Sequence, residues 1–137
     1  MSEVRPVLLV EDDRVDVMTV KRVFKELKLP NELQFAGNGL EALEHLRDKE
    51  KETPGLILLD LNMPKMNGIE FLSERKDDDF IKRIPVVVLT TSKEDQDKID
   101  SYNFGVAGYM IKPVEYDRFV DIIKTVSAYW NMSEVPE

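Results

Sequence analysis

The chain predicts an α/β fold, a three-layer sandwich with a five-stranded parallel sheet between five helices. Three observations lead there. Short apolar runs recur at Val7–Val10, Leu56–Leu59, 85–89 and 108–111, with an alternating run at 32–35. Stretches with helical spacing stand between and after them, and such alternation implies parallel strands joined by right-handed crossovers. Four of the runs end on a functional group: Glu11-Asp12-Asp13, Asp60, Thr90 and Lys112. Open α/β sheets place their ligand crevices at the carboxyl ends of the strands. The strand order itself does not follow from the pattern.

Each element has a local cause. Val7-Leu-Leu-Val10 is a first buried strand, and Asp13 is suited to cap the helix after it, with Asp16 in the first turn favoured by the helix dipole. Val20, Val23, Phe24 and Leu27 form one apolar helical face, which Leu29-Pro30-Asn31 ends. Leu33 and Phe35 alternate with Glu32 and Gln34, as in an edge strand with one wetter face. Asn38-Gly39 is a turn or cap, and Leu40, Leu43 and Leu46 mark a second helix that runs into the charged tract Arg47–Glu52. Leu56–Leu59 lies between Pro54-Gly55 and Pro64, and reads as a strand buried on both faces. A short helix starts near Asn67 with Ile69 and Leu72 inward, and Asp77-Asp78-Asp79 reads as a solvated loop because like charges repel and stay hydrated. Pro85-Val-Val-Val-Leu89 is a fourth strand. From Lys93 to Phe104 the helical pattern is poor, with Ile99, Tyr102 and Phe104 its only sizeable apolar residues, and Gly105 stops it. Gly108–Ile111 is the fifth strand, and Phe119, Ile122, Ile123 and Val126 line the last helix. Residues 132–137 read as a loose tail.

Composition narrows the function classes. With 27 acidic and 19 basic residues the formal net charge is −8, which argues against the clustered basic face that nucleic acid or an anionic membrane requires. The absence of cysteine excludes disulfides, thiolate metal sites and thiol nucleophiles. Neither a signal core nor an apolar run of ~20 residues is visible, so a cytoplasmic protein is the expectation.

Glu11, Asp12 and Asp60 brought together at neutral pH repel one another unless something positive joins them. Lys112 supplies one charge and a divalent cation the rest. Ligands that are all oxygen favour a hard cation, Mg²⁺ or Mn²⁺, over zinc. Such a site suits phosphoryl transfer, with Asp60 as nucleophile and Lys112 and the Thr90 hydroxyl contacting the phosphoryl oxygens. Taken singly, an acidic triplet before a helix is more often a cap, a strand-end threonine a sheet residue, and a lysine before proline a surface charge. It is the four strand ends together that carry the signal.

Val10-Glu11-Asp12-Asp13, Leu59-Asp60-Leu-Asn62-Met-Pro64 with Asn67-Gly68, Val88-Leu89-Thr90-Thr91 and Gly108-Tyr109-Met-Ile-Lys112-Pro113 resemble the receiver domain of two-component response regulators. The resemblance covers roughly residues 5 to 130 of a chain read as one receiver domain, 1–137. It implies the flavodoxin-like strand order 2-1-3-4-5 of CheY-like proteins. By the same resemblance Asp60 is the phosphoacceptor for a sensor histidine kinase, and Asp12 a direct Mg²⁺ ligand. Glu11 acts on the metal through water, and the Asn62 main-chain carbonyl completes the ligands. Thr90 and Tyr109 are the switch pair, and Lys112 pairs with the phosphate. Many members have Asp where this chain has Glu11. The extra methylene suits a water-mediated role.

Thr90-Thr91-Ser92 and Ala128-Tyr129-Trp130 resemble the small stand-alone regulators partnered with cyanobacterial-type phytochrome histidine kinases. In that subgroup the carboxyl-terminal region contributes to dimers, so a homodimer is one expectation. Tyr129 and Trp130 capping the last helix is the plainer alternative.

The chain ends soon after its last helix, so the expected output is a change in what residues 93–111 and that helix bind. The downstream protein is unknown. A phosphorelay shuttle passing phosphate to another protein's histidine is an alternative, and so is a fold-only interaction module without phosphorylation. The only histidine, His45, reads as an exposed surface residue rather than a relay. A dehalogenase-type phosphatase would need a second aspartate two residues after Asp60, where Asn62 stands, so no independent enzymatic turnover is expected.

Overall fold

The computed structural model describes residues 5–112, 115, 117–122 and 124–125. In order they form β1 (Val7–Val10), α1 (Arg14–Glu26), β2 (Leu33–Ala36), α2 (Gly39–Arg47), β3 (Leu56–Leu59) and α3 (Gly68–Lys76). A 3₁₀ turn (Ile81–Arg83), β4 (Val86–Thr90), α4 (Asp95–Asn103) and β5 (Gly108–Ile111) follow. Residues 117–122 and 124–125 are helical and form α5. Ile123, Val126, Tyr129, Trp130 and the tail 132–137 lie outside the described residues.

All five strands are parallel, in the order β2-β1-β3-β4-β5. The sheet is the flavodoxin-like one that the resemblance implies. Alternate residues of each strand feed opposite cores. Leu8, Val10, Ile57, Leu59, Val86 and Val88 meet α2 and α3 through Ala42, Leu43, Leu46, Phe71 and Leu72. Val7, Leu9, Leu56, Leu58, Val87 and Leu89 meet α1 through Val20 and Phe24, and α5 through Phe119. Phe24 and Phe119 pack edge to face at 6.0 Å between centroids, which ties the two helices of that layer together. Leu56–Leu59 is buried throughout, at about 1.5–3 kcal/mol per side chain, so the strand that leads to Asp60 is firmly held between its equally buried neighbours β1 and β4.

The caps follow the sequence. Asp13 accepts from the amides of Val15 and Asp16, Asn38 caps α2, and Asn67 forms a reciprocal capping box with Glu70 on α3. Gly105 ends α4 at φ 83, a left-handed conformation that favours glycine.

Four local expectations need correction, and the facing of α4, which the sequence pattern left open, is fixed. Leu40 is exposed, because the inward arc of α2 is centred on Gly39, Ala42, Leu43 and Leu46 and leaves position 40 to one side. In β2 the buried face is Gln34 and Ala36, not Leu33 and Phe35. Gln34 is satisfied there by donating to the Glu52 carbonyl and by His45, while Phe35 lies at the sheet edge under Lys21 Nζ, 4.8 Å from its ring centre. His45 is accordingly half-buried, its Nε2 2.8 Å from Gln34 Oε1. Asp78 is not a loose loop carboxylate. It accepts from the amides of Phe80 and Ile81, which hold its carboxyl below the ordinary value, and it pairs with Arg47. In α4, Ile99 and Tyr102 face outward, and Asp97, Ser101 and Phe104 face inward at i, i+4, i+7 spacing.

Candidate functional site

The strand ends are stitched together by main-chain bonds that continue the sheet one residue beyond each strand. The Glu11 amide donates to Ala36, the Asp60 amide to Val10 (3.0 Å), and the Lys112 amide to Thr90 (2.8 Å). The side chains on these residues are therefore placed by the sheet rather than by mobile loops. Glu11 and Asp60 are 6% and 7% exposed, while Asp12 faces solvent. One carboxylate oxygen from each of the three lies within 4.8 Å of the other two.

Lys112 Nζ enters this cluster from β5. It donates to Glu11 Oε1 at 2.5 Å and to Asp16 Oδ2 at 2.7 Å, and stands 4.0 Å from Asp60 Oδ1. Burial pulls the Lys112 ammonium toward the neutral form, but its hydrogen bonds to Asp16 and Glu11 outweigh that and raise its pKa. Burial pushes the Glu11 carboxyl the other way, up to about 7, with the Asp60 charge adding to it and the Lys112 hydrogen bond offsetting only part. One ammonium among the carboxylates of Glu11, Asp12, Asp16 and Asp60 leaves an excess of negative charge. Oxygen donors this close together, with charge to spare, match a hard divalent cation.

Beside the acidic pocket, Thr90 is fully buried at the end of β4. Its Oγ1 accepts from the Ser92 amide at 3.2 Å, and Tyr109 Oη donates to the Ser92 carbonyl at 3.1 Å. The Ser92 hydroxyl donates to Asp97 Oδ2 on α4 at 2.6 Å. Burial raises the Tyr109 phenol pKa, which keeps it a donor.

The structure thus brings Glu11, Asp12, Asp60 and Lys112 together, and joins Thr90 to Tyr109 through Ser92. Asn62 is exposed in the loop after Asp60. Three contributors escaped sequence reasoning. Asp16 appears there only as a dipole partner, although it lies one helical turn beyond Asp12 and so returns to the same pocket. Ser92 carries no signal as a type. Arg75 is 4% exposed and donates to the carbonyls of Phe104, Lys82 and Ile84. Its i+3 and i+4 spacing from Leu72 and Phe71 marks it as inward-facing. Among the described residues no helix is long and apolar enough to cross a membrane.

Comparison with known proteins agrees with this geometry. The model of the response regulator receiver domain matches residues 7–124. The probable methanogenesis regulatory protein FilR2 of Methanothrix harundinacea is 36% identical over 127 residues, 90% of this chain and 82% of that one. Response regulator Rcp1 of Synechocystis sp. is 38% identical over 128 residues, 90% of this chain and 87% of its own. The crystal structure of Rcp1 with Mn²⁺ bound superposes with a TM-score of 0.80 at 36% identity, over 97% of this chain and 99% of that one. The phosphorylated cyanobacterial phytochrome response regulator RcpA superposes at 0.81 with 34% identity, over 98% and 100% of the two chains.

Proposed function

The chain belongs to the response regulator receiver domain family, and from that premise we propose that it is a stand-alone two-component regulator, one receiver domain over 1–137, phosphorylated on Asp60. The observation that carries this reading is the grouping of Glu11, Asp12 and Asp60 oxygens within 4.8 Å, with Lys112 Nζ 4.0 Å from Asp60. A cation would be held by Asp12, Asp60 and the Asn62 main-chain carbonyl, with Glu11 acting through water. Mg²⁺ is the expected occupant and Mn²⁺ an alternative, in keeping with the Mn²⁺-bound form of Rcp1. When bound, the cation neutralises charge on the phosphoryl oxygens.

An Asp60 carboxylate oxygen attacks the phosphorus of a kinase phosphohistidine. The P–N bond breaks, its electrons return to the imidazole, which takes up a proton, and an acyl phosphate forms on Asp60. β3 contributes by holding the nucleophile fixed and nearly dry. Lys112 is already charged and within one side-chain adjustment of Asp60, so it can leave Glu11 or Asp16 for a phosphoryl oxygen. The Thr90 hydroxyl approaches another by giving up the Ser92 amide, and Tyr109 readjusts because its hydroxyl is tied to the same residue. Residues 93–111 and α5 then present a different face to a downstream protein or a second copy of the chain.

The chain catalyses its own modification and slow dephosphorylation in the cytoplasm, without turnover of an independent substrate. The test is transfer of labelled phosphate from an autophosphorylated histidine kinase core. Rapid labelling that chelator abolishes supports the reading. Absence of labelling in Mg²⁺, alongside a receiver known to accept from the same kinase, refutes it.

A further inference from the structure

We propose that Gly39, on α2, is a positioning residue for the divalent-cation site: by lacking a side chain it seats the loop 61–67 that carries the Asn62 carbonyl. This rests on the cation-site reading above. Gly39 is buried, and its amide donates to the Met66 carbonyl at 2.9 Å. A Cβ at position 39 would lie 2.6 Å from Met66 Cγ, 2.9 Å from Sδ and 3.0 Å from the Met66 carbonyl oxygen. The need is not conformational, since Gly105 is the glycine with positive φ among the described residues. Alanine is the better helix former. What glycine provides here is close approach.

The loop is gripped from two sides. At its α3 end the Gly68 amide donates to Leu61 (3.0 Å), and a Cβ on Gly68 would come within 2.5 Å of the Asp60 carbonyl. At its α2 side Gly39 holds Met66, whose side chain packs on the core that also buries Met63. Between these grips Lys65 is at φ 65, a conformation a non-glycine residue keeps only when its surroundings impose it. The grip on the α2 side is itself rigid. Asn38 accepts from the Glu41 amide, and Glu41 accepts from the Gly37 amide and the Asn38 side chain. The α2 cap, Gly39 and Met66 thus form one continuous support for a loop whose carbonyl would be a ligand to a cation that tolerates little misplacement of its donors.

The test compares wild type, Gly39→Ala, Met66→Ala and the double variant, with Mg²⁺ affinity read by calorimetry, Mn²⁺ by electron paramagnetic resonance, and loop exchange by amide hydrogen exchange. Gly39→Ala is expected to bind Mg²⁺ about ten-fold more weakly, as loss of an outer support does, with faster exchange in 61–67 and unchanged protection in β1 and β3. Met66→Ala in the same chain removes Cγ and Sδ and is expected to restore affinity to about that of Met66→Ala alone. If Gly39→Ala does not fold, the double variant still should, and should bind as the Met66→Ala protein does. Wild-type affinity in Gly39→Ala overturns the proposal, and so does a loss, of affinity or of folding, that Met66→Ala does not relieve. A wild-type chain that fails to bind Mg²⁺ refutes the cation-site reading instead.

Discussion

Glu11→Gln is expected to stabilise the cation-free protein at alkaline pH while weakening its hold on Mg²⁺. Burial moves the Glu11 carboxyl from an ordinary 4.5 to about 7, so the unfolded chain releases this proton at lower pH than the native one. For an acid raised in this way the native state is least penalised below about 4.5, loses stability as pH rises toward 7, and is level above it. The interval between 4.5 and about 7, at about 1.4 kcal/mol per pH unit, amounts to roughly 3 kcal/mol by pH 8. Glutamine removes that penalty but makes a neutral rather than a charged contact with Lys112, an offset of about 1 kcal/mol. The net expectation is a gain of about 2 kcal/mol at pH 8 and little change at pH 5. Urea unfolding of both proteins with chelator, at pH 5 and pH 8, measures it. With Mg²⁺ at a hundredfold excess over its dissociation constant, wild type gains about 2.7 kcal/mol. The variant gains less, about 1.4 kcal/mol for a ten-fold weaker site, so its lead over wild type narrows. Parallel pH dependences in the two cation-free proteins would refute the reasoning.

Three further outcomes follow from particular contacts. Ser92→Ala cuts the tie between the Thr90–Tyr109 pair and Asp97, so amide exchange in Asp95–Asn103 should quicken several-fold without phosphate, while β4 is unaffected; unchanged exchange would show the tie to be idle. Arg75→Met leaves three carbonyls without their donor, one of the three bonds fully buried, at a cost of about 3 kcal/mol. For a chain of this size that lowers Tm by about 10 °C, and a shift within about 2 °C would mean that burying the uncompensated charge costs as much as the bonds return. His45 is held below its ordinary 6.5 by burial and the Lys51 charge, against Asp48, so its contribution is intact above pH 6.5 and is lost as pH falls. Wild type should therefore lose stability relative to His45→Gln between pH 7 and pH 5, and equal losses would show that His45 is not coupled to folding.

Most of the sheet was legible because Leu56–Leu59 and Val86–Val88 are short, uninterrupted apolar runs flanked by proline and other turn formers, the pattern of a strand covered on both faces. The strand order was not in the pattern and came through the motif resemblance. The pocket was legible because four different polar groups sit at or one residue beyond the carboxyl ends of four strands, and those ends share an edge. What escaped was set by partners distant in sequence. Gln34 is buried because His45 and the Glu52 carbonyl satisfy it, so alternation misassigned the inner face of β2. Asp97, Ser101 and Phe104 turn inward on α4 because Asp97 meets Ser92 and the Phe104 carbonyl meets Arg75, contacts that outweigh the weak apolar pull of Ile99 and Tyr102. Asp16 belongs to the pocket through Lys112, 96 residues away.

The central claim is that Asp60 is a phosphoacceptor served by a cation. Intact mass after incubation with acetyl phosphate tests it most directly, for wild type and Asp60→Asn, with Mg²⁺ and with chelator. Wild type with Mg²⁺ should gain one phosphoryl group, and there should be no gain with chelator or in the variant. No gain in wild type, or an equal gain in Asp60→Asn, would contradict it.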